Sequence, residues 1–65
     1  MITNRLKEIR NGKGVTQQEL AYAIGVIRQT VIAIEQNRYR PSVELALRIA
    51  DYFKVPVETI FRLNP

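Results

Sequence analysis

Apolar side chains in this chain recur three and four positions apart rather than alternating, the spacing of helices with one buried face. Leu6 and Ile9, inside T-N-R-L-K-E-I-R-N, predict a first helix, capped near Thr3 and stopped by Gly12 or Gly14. V-T-Q-Q-E-L opens a second. Thr16 followed three residues later by Glu19 is a capping box, in which each residue satisfies a backbone N–H of the other, so this helix starts at Gln17. Leu20, Ala21 and Ile24 form its buried face, and Gly25 suits the left-handed conformation that ends a helix.

Only Gly25, Val26 and Ile27 separate this helix from the next periodic segment, residues 27–36. Two short helices joined by about three residues beginning with Gly have the spacing of a helix-turn-helix, here at about 17–36. At roughly 100° per residue, Ile27, Val31 and Ile34 share one arc of the third helix, flanked by Thr30 and Glu35. Arg28, Gln29, Ile32, Ala33 and Gln36 fall on the opposite arc. Asn37 tolerates a left-handed exit, R-Y-R-P-S reads as a basic loop, and Ser42 caps a fourth helix. Leu45 or Ala46, Ile49, Ala50 and Phe53 give that helix the clearest amphipathic pattern in the chain. Pro56 fits the first turn of a last short helix carrying Val57, Ile60 and Phe61. With no strand and no internal repeat in view, the expected fold is all-α, a compact five-helix domain over residues 1–65.

Composition narrows what such a domain can do. A chain of 65 residues buries only about 60% of the surface its unfolded form exposes, so one small core must suffice. There is neither Cys nor His, which removes disulfides, thiolate and imidazole chemistry and the usual zinc ligands. No cofactor or metal is expected, and six scattered carboxylates without a phosphate loop make an enzyme the least supported class. The start M-I-T-N-R-L-K-E lacks a signal peptide's apolar core and no apolar run could span a membrane. A soluble cytoplasmic protein with no membrane partner is expected.

The net charge of +4 and pI near 10.0 suit a polyanion partner, and its distribution is more telling than its size. Residues 1–40 carry seven bases against three acids, whereas residues 41–65 carry three of each and are neutral. The basic surplus therefore lies with the helix-turn-helix.

Arg28, Gln29 and Thr30 stand at the start of the third helix, the end that meets base edges when such a helix lies in a major groove. Arg can donate two hydrogen bonds to guanine and Gln can pair with adenine. The same residues would also make an ordinary solvated helix face. Gln17 could place its side chain and a helix N-terminal amide on a phosphate, or be common helix-start composition. Arg38 and Arg40 would meet the DNA backbone beside the groove, or be exposed loop charges. Arg10, one turn from Leu6, and Glu35, at the margin of the core arc, could form a partly buried ion pair, for which a structural role is expected.

The five-helix order and the string T-Q-Q-E-L-A...I-G-V-I-R-Q-T-V...I-E-Q-N-R-Y-R-P-S-V-E-L-A-L-R-I-A...F closely resemble the Cro/repressor-like Xre family of helix-turn-helix transcriptional regulators, over roughly residues 2–62. The resemblance implies a lambda repressor-like DNA-binding domain of the short, stand-alone type. It also implies that Arg28, Gln29, Thr30 and Ala33 face base edges, that Gln17, Asn37 and Arg38 lie along phosphates, and that Arg10 and Glu35 form an interhelical salt bridge. Two positions depart from the family pattern. Ile27 stands where Ser or Thr usually caps the reading helix, and Ile32 stands where a polar residue is common.

The expected function is sequence-specific binding of double-stranded DNA by a homodimer, most simply a repressor on a palindromic operator. Ile32 and Gln36 would line the groove wall, and Val55, Pro56, Val57 and Leu63, in the neutral last third, would form the dimer interface. The rival expectation is a protein-interaction module, such as the antitoxin of a toxin–antitoxin pair or a bridging factor, with Ile32 and the C-terminal apolar residues as its contact patch.

Overall fold

The computed structural model describes residues 2–64 of the domain expected over 1–65, so Met1 and Pro65 lie outside it. Its elements run β1 (Ile2–Asn4), α1 (Leu6–Gly12), α2 (Gln17–Ile24), α3 (Arg28–Glu35), α4 (Val43–Phe53), α5 (Val57–Ile60) and β2 (Phe61–Leu63). The five helices are present, but the all-α expectation is corrected by a two-stranded antiparallel sheet. It joins the two ends in the register Ile2↔Leu63, Thr3↔Arg62 and Asn4↔Phe61. Arg5 N–H continues the ladder by donating to Ile60 O at 2.8 Å.

The sheet changes two expected boundaries. Thr3 belongs to β1 and does not cap α1, whose N-cap is Arg5 with no side-chain cap bond. Asn4 does this work from one residue further back: its Oδ1 accepts from Leu6 N–H at 3.1 Å. Phe61, expected in the last helix, has an extended backbone and opens β2, and Pro56 is the N-cap of α5 rather than part of its first turn.

The helix ends elsewhere follow local chemistry. Thr16 and Glu19 form both bonds of the capping box, and Gly25 closes α2 at φ 80°. Ser42 caps α4 by accepting from Leu45 N–H. Asn37, at φ 60°, ends α3 with a Schellman pattern: Asn37 N–H donates to Ile34 O and Arg38 N–H to Ala33 O.

One core joins these elements. Leu6 from α1, Leu20, Ala21 and Ile24 from α2, Val31 and Ile34 from α3, Ile49, Ala50 and Phe53 from α4 and Ile60 from α5 are all buried. Ile27, expected in that core, is 65% exposed. The reason is backbone geometry. Ile27 is the extended N-cap of α3, at φ −86° and ψ 158°, so its side chain does not follow the helical wheel.

Candidate nucleic-acid interface

α3 is held against the body of the protein by Val31 and Ile34, both fully buried. Their spacing fixes which residues face outward. Arg28 and Gln29 in the first turn are exposed, as is Gln36 just past the last, while Thr30, Ala33 and Ile32 are half-buried. Ile32, placed by the wheel on the exposed arc, is thus partly covered.

A chain of polar contacts runs from α1 to the start of α3. Arg10 Nε donates to Glu35 Oε2 at 2.6 Å, Arg10 Nη2 to Glu35 Oε1 at 3.4 Å, and Arg10 Nη1 to Val15 O at 2.9 Å. The two charged side chains are only 9% and 3% exposed. Gln17 Nε2 donates to the same Glu35 Oε1 at 3.1 Å, and Gln17 Oε1 accepts from Arg28 Nε at 3.2 Å. Buried charge is costly unless paired and hydrogen-bonded, and here both conditions hold: no buried side-chain N or O among the described residues lacks a partner. Gln17 uses both ends of its amide inside the protein, so its side chain orients Arg28. Its backbone N–H, at the start of α2, remains the group with which it can meet a phosphate. Arg28, Gln17, Thr16 and Gln18 border one shallow depression on this side of the molecule.

The exit of α3 is organised as closely. Asn4 Nδ2 donates to Ile34 O and to Asn37 Oδ1, both at 2.9 Å, so one strand residue secures the start of α1 and the end of α3. Arg38 donates to Gln36 Oε1, and Arg40 is exposed beyond it. The structure therefore gathers Gln17, Arg28, Glu35 and Arg10 into one network, and Asn37, Arg38 and Gln36 at the other end of α3. The four residues expected at a dimer interface divide. Val55 and Val57 are half-buried and pack against the core, while Pro56 is exposed and Leu63 is 81% exposed.

Sequence reasoning missed Asn4. Its signal was an Asn two residues ahead of the first buried helical position, a residue type favoured at helix starts, overlooked beside the equally plausible Thr3. One carboxylate near the interface titrates unusually. Thr16, through its backbone N–H first and its side chain second, holds the Glu19 carboxyl below its ordinary value.

Comparison with known proteins agrees with this geometry. A family model described as helix-turn-helix matches residues 6–60. A protein of Methanocaldococcus jannaschii named an uncharacterised helix-turn-helix-type transcriptional regulator is 50% identical over 58 residues, covering 89% of this chain and 88% of its own. A Bacillus subtilis protein of the same description is 45% identical over 61 residues, covering 94% and 92%. Among solved structures, the restriction-modification controller protein C.AhdI from Aeromonas hydrophila superposes with a TM-score of 0.78 at 28% identity, over 83% of this chain and 82% of its own.

Proposed function

We propose a function from one premise: the chain belongs to the helix-turn-helix family, among its Xre-like transcriptional regulators. It acts as a sequence-specific, double-stranded DNA-binding repressor, a homodimer that sets two copies of α3 into successive major grooves of a palindromic operator, about 34–36 Å apart. The observation that carries this reading is the first turn of α3, where Arg28 and Gln29 are exposed and Arg28 is steadied by Gln17 at 3.2 Å.

In this mechanism Arg28 and Gln29 supply base-edge donors and acceptors, each good bidentate pair being worth about 1–3 kcal/mol of discrimination. Thr30 and Ala33 bound the reading edge, with Ile32 and Gln36 against the groove wall. The backbone N–H of Gln17, with Asn37, Arg38 and Arg40, aligns the helix on phosphates. Repression follows from occupancy of the operator.

Selection of bound duplexes from a random pool, followed by salt titration of the winner, tests the proposal. The expected result is a palindromic consensus whose affinity falls steeply as salt rises, because phosphate contacts release counterions. A flat, weak and sequence-blind response would remove the DNA reading and favour the protein-interaction module.

A further inference from the structure

Ile27 does little for the protein on its own. It is 65% exposed, it is the N-cap of α3 without a side-chain cap bond, and the core that Val26 packs against does not include it. Ser, Thr, Asn or Asp at this position would accept a hydrogen bond from the first turn of α3 and stabilise the helix. A branched apolar side chain forgoes that bond and keeps its methyl groups in water, which is unfavourable. Arg28 and Gln29 follow it directly and are both exposed. Ile27 therefore stands at the end of α3 that carries the proposed base-reading groups.

We propose that Ile27 is a specificity-determining residue that reads the 5-methyl group of a thymine. The assignment rests on the DNA reading above and deepens it by naming a contact that hydrogen bonds do not make. Isoleucine has no side-chain donor or acceptor, so it gains from a major groove only by covering an apolar group. Of the four bases, thymine alone presents one there, its C5 methyl. Consecutive Cα atoms lie about 3.8 Å apart and consecutive base pairs about 3.4 Å apart, which places this thymine within about one step of the base pair that Arg28 contacts.

A protein partner suits the side chain less well. The exposed chain neighbours of Ile27 are Gly25, Arg28 and Gln29, none of them a large apolar residue, whereas a protein-docking patch is built from contiguous apolar surface. The missing cap then has a reason. A hydroxyl at position 27 would stabilise α3 but would set a polar group against the methyl; isoleucine gives up the cap and meets methyl with methyl.

Replacing thymine by uracil tests the assignment, because it removes one methyl group from the duplex and leaves every hydrogen-bonding atom in place. Each thymine of the duplex selected by the wild type is replaced in turn, and affinities are compared by competition for the wild type, Ile27→Ser and Ile27→Val. Serine supplies the absent cap, so the fold is retained and circular dichroism checks it, while valine keeps a branched apolar side chain. The expected result is a thymine whose replacement weakens binding by the wild type and by Ile27→Val about fourfold, the scale of one buried methyl-sized group, and leaves binding by Ile27→Ser unchanged. A merely structural role would move the melting midpoint and leave this ratio alone. A selected site at which no uracil weakens the wild type overturns the assignment and leaves the DNA reading standing. A loss that persists in folded Ile27→Ser also overturns it, since another side chain then covers the methyl. A wild type that selects no duplex overturns both the assignment and the DNA reading.

Discussion

α2 and α3 are each eight residues long and each begins after an extended residue, Thr16 at ψ 162° and Ile27 at ψ 158°. Their starts are nonetheless secured in opposite ways. α2 closes its first turn locally, with both bonds of a capping box between Thr16 and Glu19. α3 has no side-chain cap and no acid in its first turn. It depends instead on ties to other helices: the Arg28 bond to Gln17, the Glu35 pairing with Arg10, and the burial of Val31 and Ile34. Local capping stabilises a helix wherever it lies, but an acidic cap at the end of a DNA-reading helix would set a negative charge against phosphates. The difference therefore separates α2, stabilised by its own sequence, from α3, the helix proposed to read DNA, which is stabilised from the side that faces the protein.

The largest effect expected from this contrast is at Glu35. Glu35→Ala leaves the Arg10 guanidinium buried and unpaired and releases Gln17 Nε2, and breaking a buried pair in this way costs about 3–5 kcal/mol. That is a large part of the stability of any small domain, so the variant should be largely unfolded at 37 °C by circular dichroism. A melting midpoint equal to the wild type would show that α3 is not held by this seam.

Ile27 gives the next test, with the opposite sign. Ile27→Thr supplies the absent hydroxyl acceptor at the N-cap, a change worth about 1 kcal/mol in favour of the folded state. Because Ile27 is 65% exposed, little buried area is lost. Thermal denaturation should show a midpoint raised by about 4–8 °C, the response of a domain this small to 1 kcal/mol. An unchanged midpoint would mean that the lateral ties already fix the first turn, and the contrast between the two helix starts would then carry no energetic weight.

These two positions also mark how far the sequence could be read. The helix-turn-helix was legible because its determinants are local: the Thr16–Glu19 spacing, Gly25, and the three-residue periodicity that buried Leu20, Val31 and Ile34. Ile27 was misplaced because a helical wheel assumes helical dihedrals, and an N-cap residue lacks them. The sheet was missed because strands of three residues are too short for a period of two to stand out, and their pairing joins residues some sixty positions apart. The pairing of Arg10 with Glu35 could be suggested from helix faces. The onward contacts through Gln17 to Arg28 depend on the angle between helices and the direction of one amide, which no local pattern encodes.

The smallest effect concerns pH and should separate the two helix starts once more. Bonds from Thr16, the backbone N–H first and the side chain second, lower the folded-state pKa of Glu19 below its ordinary value. A carboxyl whose folded pKa is depressed adds stability above its unfolded pKa and loses that contribution as pH falls through the folded value. Glu19→Gln removes the charge but keeps an acceptor for Thr16 N–H. Comparing melting midpoints of this variant and the wild type from pH 7 downward should therefore show the wild type slightly ahead at neutral pH, with the gap closing below the ordinary carboxylate range. Because Glu19 is exposed, solvent screening keeps the gap small. The same comparison made in the Ile27→Thr background should give the same closing gap, since a hydroxyl cap at α3 does not titrate. A gap that is constant across the range would show that the charge of Glu19 contributes nothing to the start of α2, and that its value there lies in hydrogen-bond geometry alone.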